Sequence, residues 1–351
     1  VTLPANPRIL FFADAGPAVG GGHVMRCLTL ARALAAKGAE CAFVESRAAA
    51  PILRRFGWPA QTLLAMSNAE DLAGVVTYAQ DFAEQLEADV VVIDHYGAGA
   101  AEDEQLRAGG ARKLVAIDDL ADRPRVCDLL IDPGYGRRRE QYDGLVGEAC
   151  VARLGPSHAL VRPEFAAARQ RAMSRRAKHG PVRRALVALG LTDIGGITER
   201  VVRALIPALD ETRLDVVLGA GAASLPALEA LTESDRRIHL FIDNAEMASL
   251  MADADIAIGA GGSSVWERAT VGLPSATVIL AENQRTMIEH MADAGFTRAV
   301  DAAAPDFEDR LRTVWSLLAG DPPLRWRLAE RTAELCDGHG AERVAEAVLG
   351  L

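Results

Sequence analysis

The sequence predicts an α/β protein of two domains, each a mostly parallel sheet covered by helices on both faces. Three observations lead there. At 351 residues the chain is longer than one core of ordinary size organises. Short apolar runs alternate with stretches of helical spacing, the grammar of a buried parallel sheet. That alternation breaks off around Arg162 to Pro181 and then starts again.

In order, "RILFFA" (Arg8 to Ala13) reads as a short buried strand. From His23, the apolar positions Val24, Cys27, Leu28, Ala31, Leu34 and Ala35 keep helical spacing and stop near Gly38. "ECAFVE" is the next strand, followed by a helix within Asp71 to Leu86 and the strand "DVVVID" (Asp89 to Asp94). "KLVAIDD", "DLLID" and "CVARLG" complete the first half. "RPEFAAARQRAMSRRAKHGPVRR" is rich in Arg and Ala with a Gly-Pro break, and reads as a helix plus linker. The strands "RALVALG", "RLDVVLG", "IHLFID", "ADIAIGAGG" and "SATVIL" then alternate with helices. The expected domains are 1–161 and 162–351, with two or three helices in the tail from Asp306 and a last helix able to cross back onto the first domain.

Hydrophobic residues make up 50% and charged residues 25%, which suits a soluble protein with sizeable cores. The net charge of −10 disfavours nucleic-acid binding and polybasic membrane attachment. The five cysteines form no CxxC pair, so reduced thiols and no metal cluster are expected. "VTLPANPRILFF" lacks a charged n-region, and no apolar run reaches about 18 residues. The expectation is a cytoplasmic protein without membrane insertion.

The chemistry centres on "GPAVGGGHVMRCLTLARAL". A strand ends, Gly20, Gly21 and Gly22 follow, and a helix begins at once. Glycine accepts positive φ and lets a ligand approach the backbone. The first helical N–H groups lack intrahelical partners and carry about +0.5 charge. The spacing is neither GxGxxG nor GxxxxGK[ST], so the dinucleotide and Walker readings are weak. The alternative is a tight turn chosen only for packing. His23 stands at the helix start, where the dipole favours a neutral ring able to accept a proton; otherwise it merely bonds a nearby carbonyl. Asp14 closes the preceding strand and can orient His23 or cap the turn.

"VVIDHYG" puts Asp94, His95 and Tyr96 at a strand's carboxyl end, where open α/β sheets gather ligands. Tyr96 can offer a phenolic donor to a leaving oxygen, or be a half-buried packing residue. Asp118 and Asp119, also at a strand end, fit capping better than a divalent cation. In the second half, "ALGLTDIGG" ends a strand with Gly190, Thr192 and Asp193. "GAGGSSVWERATVGLP" leads a helix with Gly261, Gly262, Ser263 and Ser264 and places Glu267 one turn in. A carboxylate there can accept from two vicinal ribose hydroxyls, or simply stabilise the helix. "AENQ" supplies amides beyond a later strand. Together these turns suggest a nucleotide-linked ligand.

"DAGPAVGGGHVMRCLTLARAL", "VVIDHYG", "AIDDLADRPRVCDLLID", "LGPSHALVRPEF", "FIDNAEMASLMADADIAIGAGGSSVWERATVGLP" and "AENQ" occur in one order. Together they resemble the UDP-2,4-diacetamido-2,4,6-trideoxy-β-L-altropyranose hydrolases of pseudaminic acid biosynthesis, over roughly Ile9 to Ala299. The resemblance implies a GT-B-like fold, two Rossmann-like domains with parallel sheets facing across a cleft. It also implies a UDP-sugar substrate cleaved by water at the anomeric C–O bond, with no metal and no other cofactor. By the resemblance His23 activates water, Tyr96 lies near the leaving phosphate, Glu267 contacts the nucleotide, and Asn283 and Gln284 form a substrate-side amide segment. Phe12, Leu191 and "DPGYG" (Asp132 to Gly136) depart from the pattern and bear on the identity of the sugar. Two other readings share these residues. One is a UDP-sugar glycosyltransferase related to the lipid-linked N-acetylglucosaminyltransferase of peptidoglycan synthesis, which has a similar "GGHV" loop. The other is a non-catalytic nucleotide-sugar binder.

Overall fold

The structure is a computed structural model that describes residues 3–16, 19–59, the backbone of 63–65, and 71–351. Two compact units emerge, one comprising Val1–Val161 and His339–Leu351, the other Arg162–Gly338.

Unit 1 runs β1 (Arg8–Ala13), α1 (Gly22–Ala35), β2 (Glu40–Glu45), α2 (Ala49–Arg55), β3 (Leu63–Ala65), α3 (Leu72–Gln85), β4 (Val90–Asp94), α4 (Ala100–Ala108), β5 (Lys113–Ile117), β6 (Leu129–Asp132) and β7 (Val151–Leu154). All strand pairs are parallel, in the order β3-β2-β1-β4-β5-β6-β7. The two-residue period of a strand explains how apolar runs serve both faces. Ile9, Phe11 and Ala13 of β1 join Val24, Leu28 and Ala31 of α1 in one core. Leu10 and Phe12 join Val76, Ala79 and Ala83 of α3 in the other.

Unit 2 runs α5 (Pro163–Arg176), β8 (Arg184–Ala188), α6 (Ile197–Leu205), β9 (Arg213–Leu218), α7 (Leu225–Ser234), β10 (Ile238–Ile242), α8 (Met247–Asp253), β11 (Ile256–Ala260), α9 (Ser264–Thr270), β12 (Ser275–Ile279), α10 (Glu282–Asp293), β13 (Arg298–Asp301), α11 (Phe307–Gly320) and α12 (Pro322–Leu335). Its sheet, again parallel, has the order β10-β9-β8-β11-β12-β13. Among the described residues no helix is long and apolar enough to cross a membrane.

The last helix, α13 (Gly340–Leu349), belongs to unit 1. Val344, Ala345 and Val348 are fully buried in the same core as α1. Its first residue is pressed against backbone: a Cβ at Gly340 would lie 2.2 Å from the Ala159 carbonyl oxygen and 2.7 Å from the Ala159 nitrogen. Backbone cannot swing aside as a side chain can. Gly340→Ala is therefore expected to cost about 1–3 kcal/mol, the usual range for overpacking, read as a lower urea midpoint.

Candidate active site

In unit 1 the strand order reverses between β1 and β4, so the crevice beyond their carboxyl ends is the place where such a sheet takes ligands. The turn after β1, the start of α1 and the residues after β4 all reach it. Gly20 has φ of 72°, and its amide donates to the Gly16 carbonyl at 2.7 Å, folding the turn back on itself. Pro17 and Ala18 of this turn lie outside the described residues. Gly21 is the N-cap of α1; no side chain caps the helix, and its first turn, with Gly22 leading, holds no acid. The positive end of a 14-residue helix thus faces the crevice with no acid of its own first turn set against it.

His23 is 5% exposed, and its Nδ1 lies 2.6 Å from Asp94 Oδ1. Arg26 Nη2 also lies 3.1 Å from Nδ1, but the carboxylate, which only accepts, is the shorter contact and takes the Nδ1 proton, so a neutral ring keeps its lone pair on Nε2. Asp94, fully buried, is also clamped by Arg26, from Nε to Oδ2 and from Nη2 to Oδ1, both at 2.6 Å. Arg26 Nη1 reaches on to Asp119 Oδ2 at 2.8 Å. Burial alone would raise the Asp94 carboxyl, but the charge of Arg26 and the hydrogen bonds from Arg26 and His23 outweigh it and hold the group well below the carboxylate range. The Tyr96 ring meets His23 edge-on at 4.4 Å between centroids. Its phenol, hydrogen-bonded to Asp119, is pushed up by burial and then by that carboxylate, so it remains a donor.

Asp14 does not orient His23. It lies 3.6 Å from His95 Nε2, while His95 Nδ1 accepts from the Gly97 amide at 2.9 Å. The His95 ring stacks on Phe12 at 5.2 Å. Burial lowers its pKa more than Asp14 raises it. The sheet register explains the exchange of partners: Ala13 lies opposite Asp94, so the Asp94 side chain turns toward α1 while Asp14 has moved past the strand end.

Unit 2 reverses between β8 and β11, and here the turns are more occupied than their composition suggests. Gly190 is exposed with φ of 113°, and Thr192 is exposed. Asp193, however, is 1% exposed and ties two segments together by accepting from the amides of Thr198 at 2.9 Å and Ser224 at 2.8 Å. With the Ser224 hydroxyl accepting from the Glu199 amide, the start of α6 is already capped by protein. Asp193 is a structural tie rather than a ligand group. Gly261 is likewise a packing glycine, since a Cβ there would lie 2.9 Å from both Gln284 Oε1 and Ile288 Cγ1. Gln284 spends that oxygen on the Leu280 amide at 3.1 Å. Asn283 is exposed at the start of α10. Gly262 is open, with nothing within 4 Å of where a Cβ would stand, and Ser263 beside it is half-buried. The Ser264 hydroxyl accepts from Arg268 Nη1 at 3.0 Å.

Glu267 projects from α9 and accepts twice from Arg162, at 3.2 and 3.1 Å, both on Oε1. Burial raises this carboxyl, with Arg162 opposing. Sequence reasoning did not reach Arg26, Arg162 or the pairing role of Asp94. One signal was available for Arg26: it follows His23 by three residues and therefore shares its helix face.

Known proteins bear on this geometry. Residues 198–303 match the glycosyltransferase family 28 C-terminal domain. The chain is 24% identical over 290 residues to the UDP-2,4-diacetamido-2,4,6-trideoxy-beta-L-altropyranose hydrolase of Campylobacter jejuni, covering 82% of this chain and 97% of that one. The resemblance seen in the motifs is thus met along most of the sequence. Among solved structures, Acinetobacter baumannii MurG aligns with a TM-score of 0.69 at 16% identity, covering 99% of this chain and 100% of its own. A UDP co-structure of S. aureus MnaA aligns at 0.67 and 13% identity, covering 97% and 96%. The fold is α/β and GT-B-like, with two Rossmann-like units.

Proposed function

We propose that this protein is an enzyme that acts on UDP-sugars, hydrolysing a UDP-linked 2,4-diacetamido-2,4,6-trideoxy sugar to free sugar and UDP in nonulosonate (pseudaminic acid) biosynthesis. The observation that carries the reading is the buried His23–Asp94–Arg26 chain at the uncapped start of α1. The similarity to the Campylobacter jejuni hydrolase supports the choice of substrate.

In this reading His23 Nε2 takes a proton from water as the water oxygen bonds to the anomeric carbon. The C–O bond to the β-phosphate breaks, and its electron pair stays on the departing UDP. Asp94 steadies the imidazolium formed in that step, and Arg26 keeps Asp94 ionised and in place. UDP is a good leaving group, so what remains is to offset its charge. The N–H groups of the Gly22 turn are the donors for that task, with Tyr96, its proton held by Asp119, beside them, and one such donor is worth about 2.7–4 kcal/mol in favourable sites.

Within unit 2 the same reading assigns Glu267 to the ribose hydroxyls, with Oε2 as acceptor while Arg162 holds Oε1. Glu267→Ala is expected to raise the Kd for UDP about 10–100-fold, about 1.4–2.7 kcal/mol and within the range of hydrogen bonds to a charged group, as read by calorimetry. A Kd unchanged by that substitution removes Glu267 from the nucleotide site.

The match to the glycosyltransferase family 28 C-terminal domain favours a second reading, transfer of the sugar to an acceptor. The deciding experiment incubates the protein with a panel of UDP-diacetamido sugars and follows products by NMR. Hydrolysis predicts free sugar and UDP at full rate with no acceptor present. UDP release that needs an added acceptor selects transfer.

A further inference from the structure

A cavity of about 220 Å³ lies at the opposite end of the unit 2 sheet from Gly262 and Glu267. Arg183, Asp255 and Pro274, which line it, immediately precede β8, β11 and β12, so it opens at the amino ends of those strands. The end of α5 and the first turn of α12 complete its walls.

Its charge is lopsided. Arg175, Arg176, Lys178, Arg183 and Arg325 line it against a single carboxylate, Asp255. That carboxylate is already committed: Oδ1 takes Arg175 at 2.6 Å, and Oδ2 takes the amides of Arg183 and Arg184 at 2.8 and 3.0 Å. The two most buried cations bond carbonyls rather than acids among the described residues. Arg325 donates to the carbonyls of Leu318, Ala319 and Gly180. Arg176, 9% exposed, donates to the carbonyls of Val271, Met251 and Ala254, and its Nε has no partner among the described residues. The carbonyls of Val271, Met251, Ala254, Leu318 and Ala319 close the C-terminal ends of α8, α9 and α11, and these, with Asp253 and Asp321 nearby, offset part of the charge; the remainder of the five-cation cluster is what an anion would meet. Burial, followed by the charge of Arg175, pushes Arg176 down to about 9, the sign of a cluster short of negative charge. The remaining wall is flat and apolar: the half-buried indole of Trp326, in edge contact with the His179 ring at 5.5 Å, stands among three prolines.

We propose that this cavity is a binding site for a small phosphorylated metabolite of sugar-phosphate size, separate from the site at the carboxyl ends of the strands. The phosphate sits among Arg176, Arg183 and Lys178, and the sugar lies against Trp326. Forked guanidinium groups suit phosphate oxygens, and an aromatic face suits the apolar side of a sugar ring. The site stands on unit 2 alone and does not depend on which reaction the His23 site performs.

The test titrates the full chain with ribose 5-phosphate, in saturating UDP, and follows tryptophan fluorescence. Trp58, Trp266, Trp315 and Trp326 all contribute to the emission, so Trp326→Phe identifies the reporter. The expected result is a saturable change that disappears in Trp326→Phe, while calorimetry on the same variant still detects binding. Lys178 and Arg183 are exposed, so Lys178→Glu with Arg183→Glu leaves the fold intact; this double variant is expected to weaken binding at least about tenfold. An absence of saturable binding below about 10 mM overturns the proposal, as does binding indifferent to the double variant. A signal that appears only when UDP is omitted also overturns it, because the ligand then occupies the nucleotide site.

Discussion

His23→Ala is expected to lower turnover by about 10²–10⁴-fold, the usual worth of a positioned general base, with UDP affinity unchanged. The two readouts separate because the proposed reading gives His23 the proton transfer and assigns the nucleotide to other groups. The variant is also expected to fold. Asp94 keeps its two-pronged contact with Arg26 when the imidazole is gone, so no buried charge is stranded. Only a small ring is lost from the crevice, and Cys27 and Leu28 behind it retain their places in the core. Single-turnover kinetics with a UDP-diacetamido sugar, together with UDP calorimetry, checks both halves. Turnover near the wild-type rate removes His23 from the mechanism; a parallel loss of UDP binding assigns it to nucleotide recognition instead.

Asp94→Ala is expected to do more damage, since it strikes stability as well as rate. It frees Nδ1 of His23 to lose its proton to Nε2, the wrong tautomer for accepting one from water. It also leaves the buried Arg26 with Asp119 as its remaining carboxylate, and breaking such a pair by one partner costs about 3–5 kcal/mol. Asp94→Ala with Arg26→Leu is therefore expected to recover much of the stability and none of the activity. The pH dependence follows the same carboxyl. Its native pKa is depressed, so its contribution to stability is complete above the unfolded value, about 3.9, and declines as the solution is acidified toward the folded value. Wild-type protein is accordingly expected to lose stability below about pH 4 more steeply than Asp94→Ala in urea titrations. Parallel acid limbs for the two proteins contradict the pairing.

Much of the architecture was legible because parallel strands announce themselves. "RILFFA", "DVVVID" and "ADIAIGAGG" are apolar on both faces and end in turn residues, and each became a strand beside the reversal point of its sheet. The helix at His23 was legible from its spacing. Side-chain pairing was not, since it depends on register. Whether Asp14 or Asp94 faces α1 turns on Ala13 standing opposite Asp94, a relation between strands about 80 residues apart that no local pattern encodes. The glycine turns of the second half misled for a related reason. Gly261 and Asp193 have the composition of anion-binding turns, yet Gly261 makes room for Gln284 and Asp193 fastens Thr198 to Ser224. Composition reports what a turn can do; the neighbours brought in by the fold decide what it does. Arg162 was hidden in an arginine-rich run where nothing marked the one that reaches Glu267.

The placement of α13 has a consequence for biogenesis. Unit 1 is assembled from two stretches of chain separated by the whole of unit 2. During synthesis the apolar stripe of α1 that Val344 and Val348 will cover stays bare while about 180 intervening residues are still being translated, an interval on the order of ten seconds or more at about 5–20 residues per second. The second-made unit can thus complete its core before the first-made one, and the nascent amino-terminal half is the stage at which chaperone protection matters most.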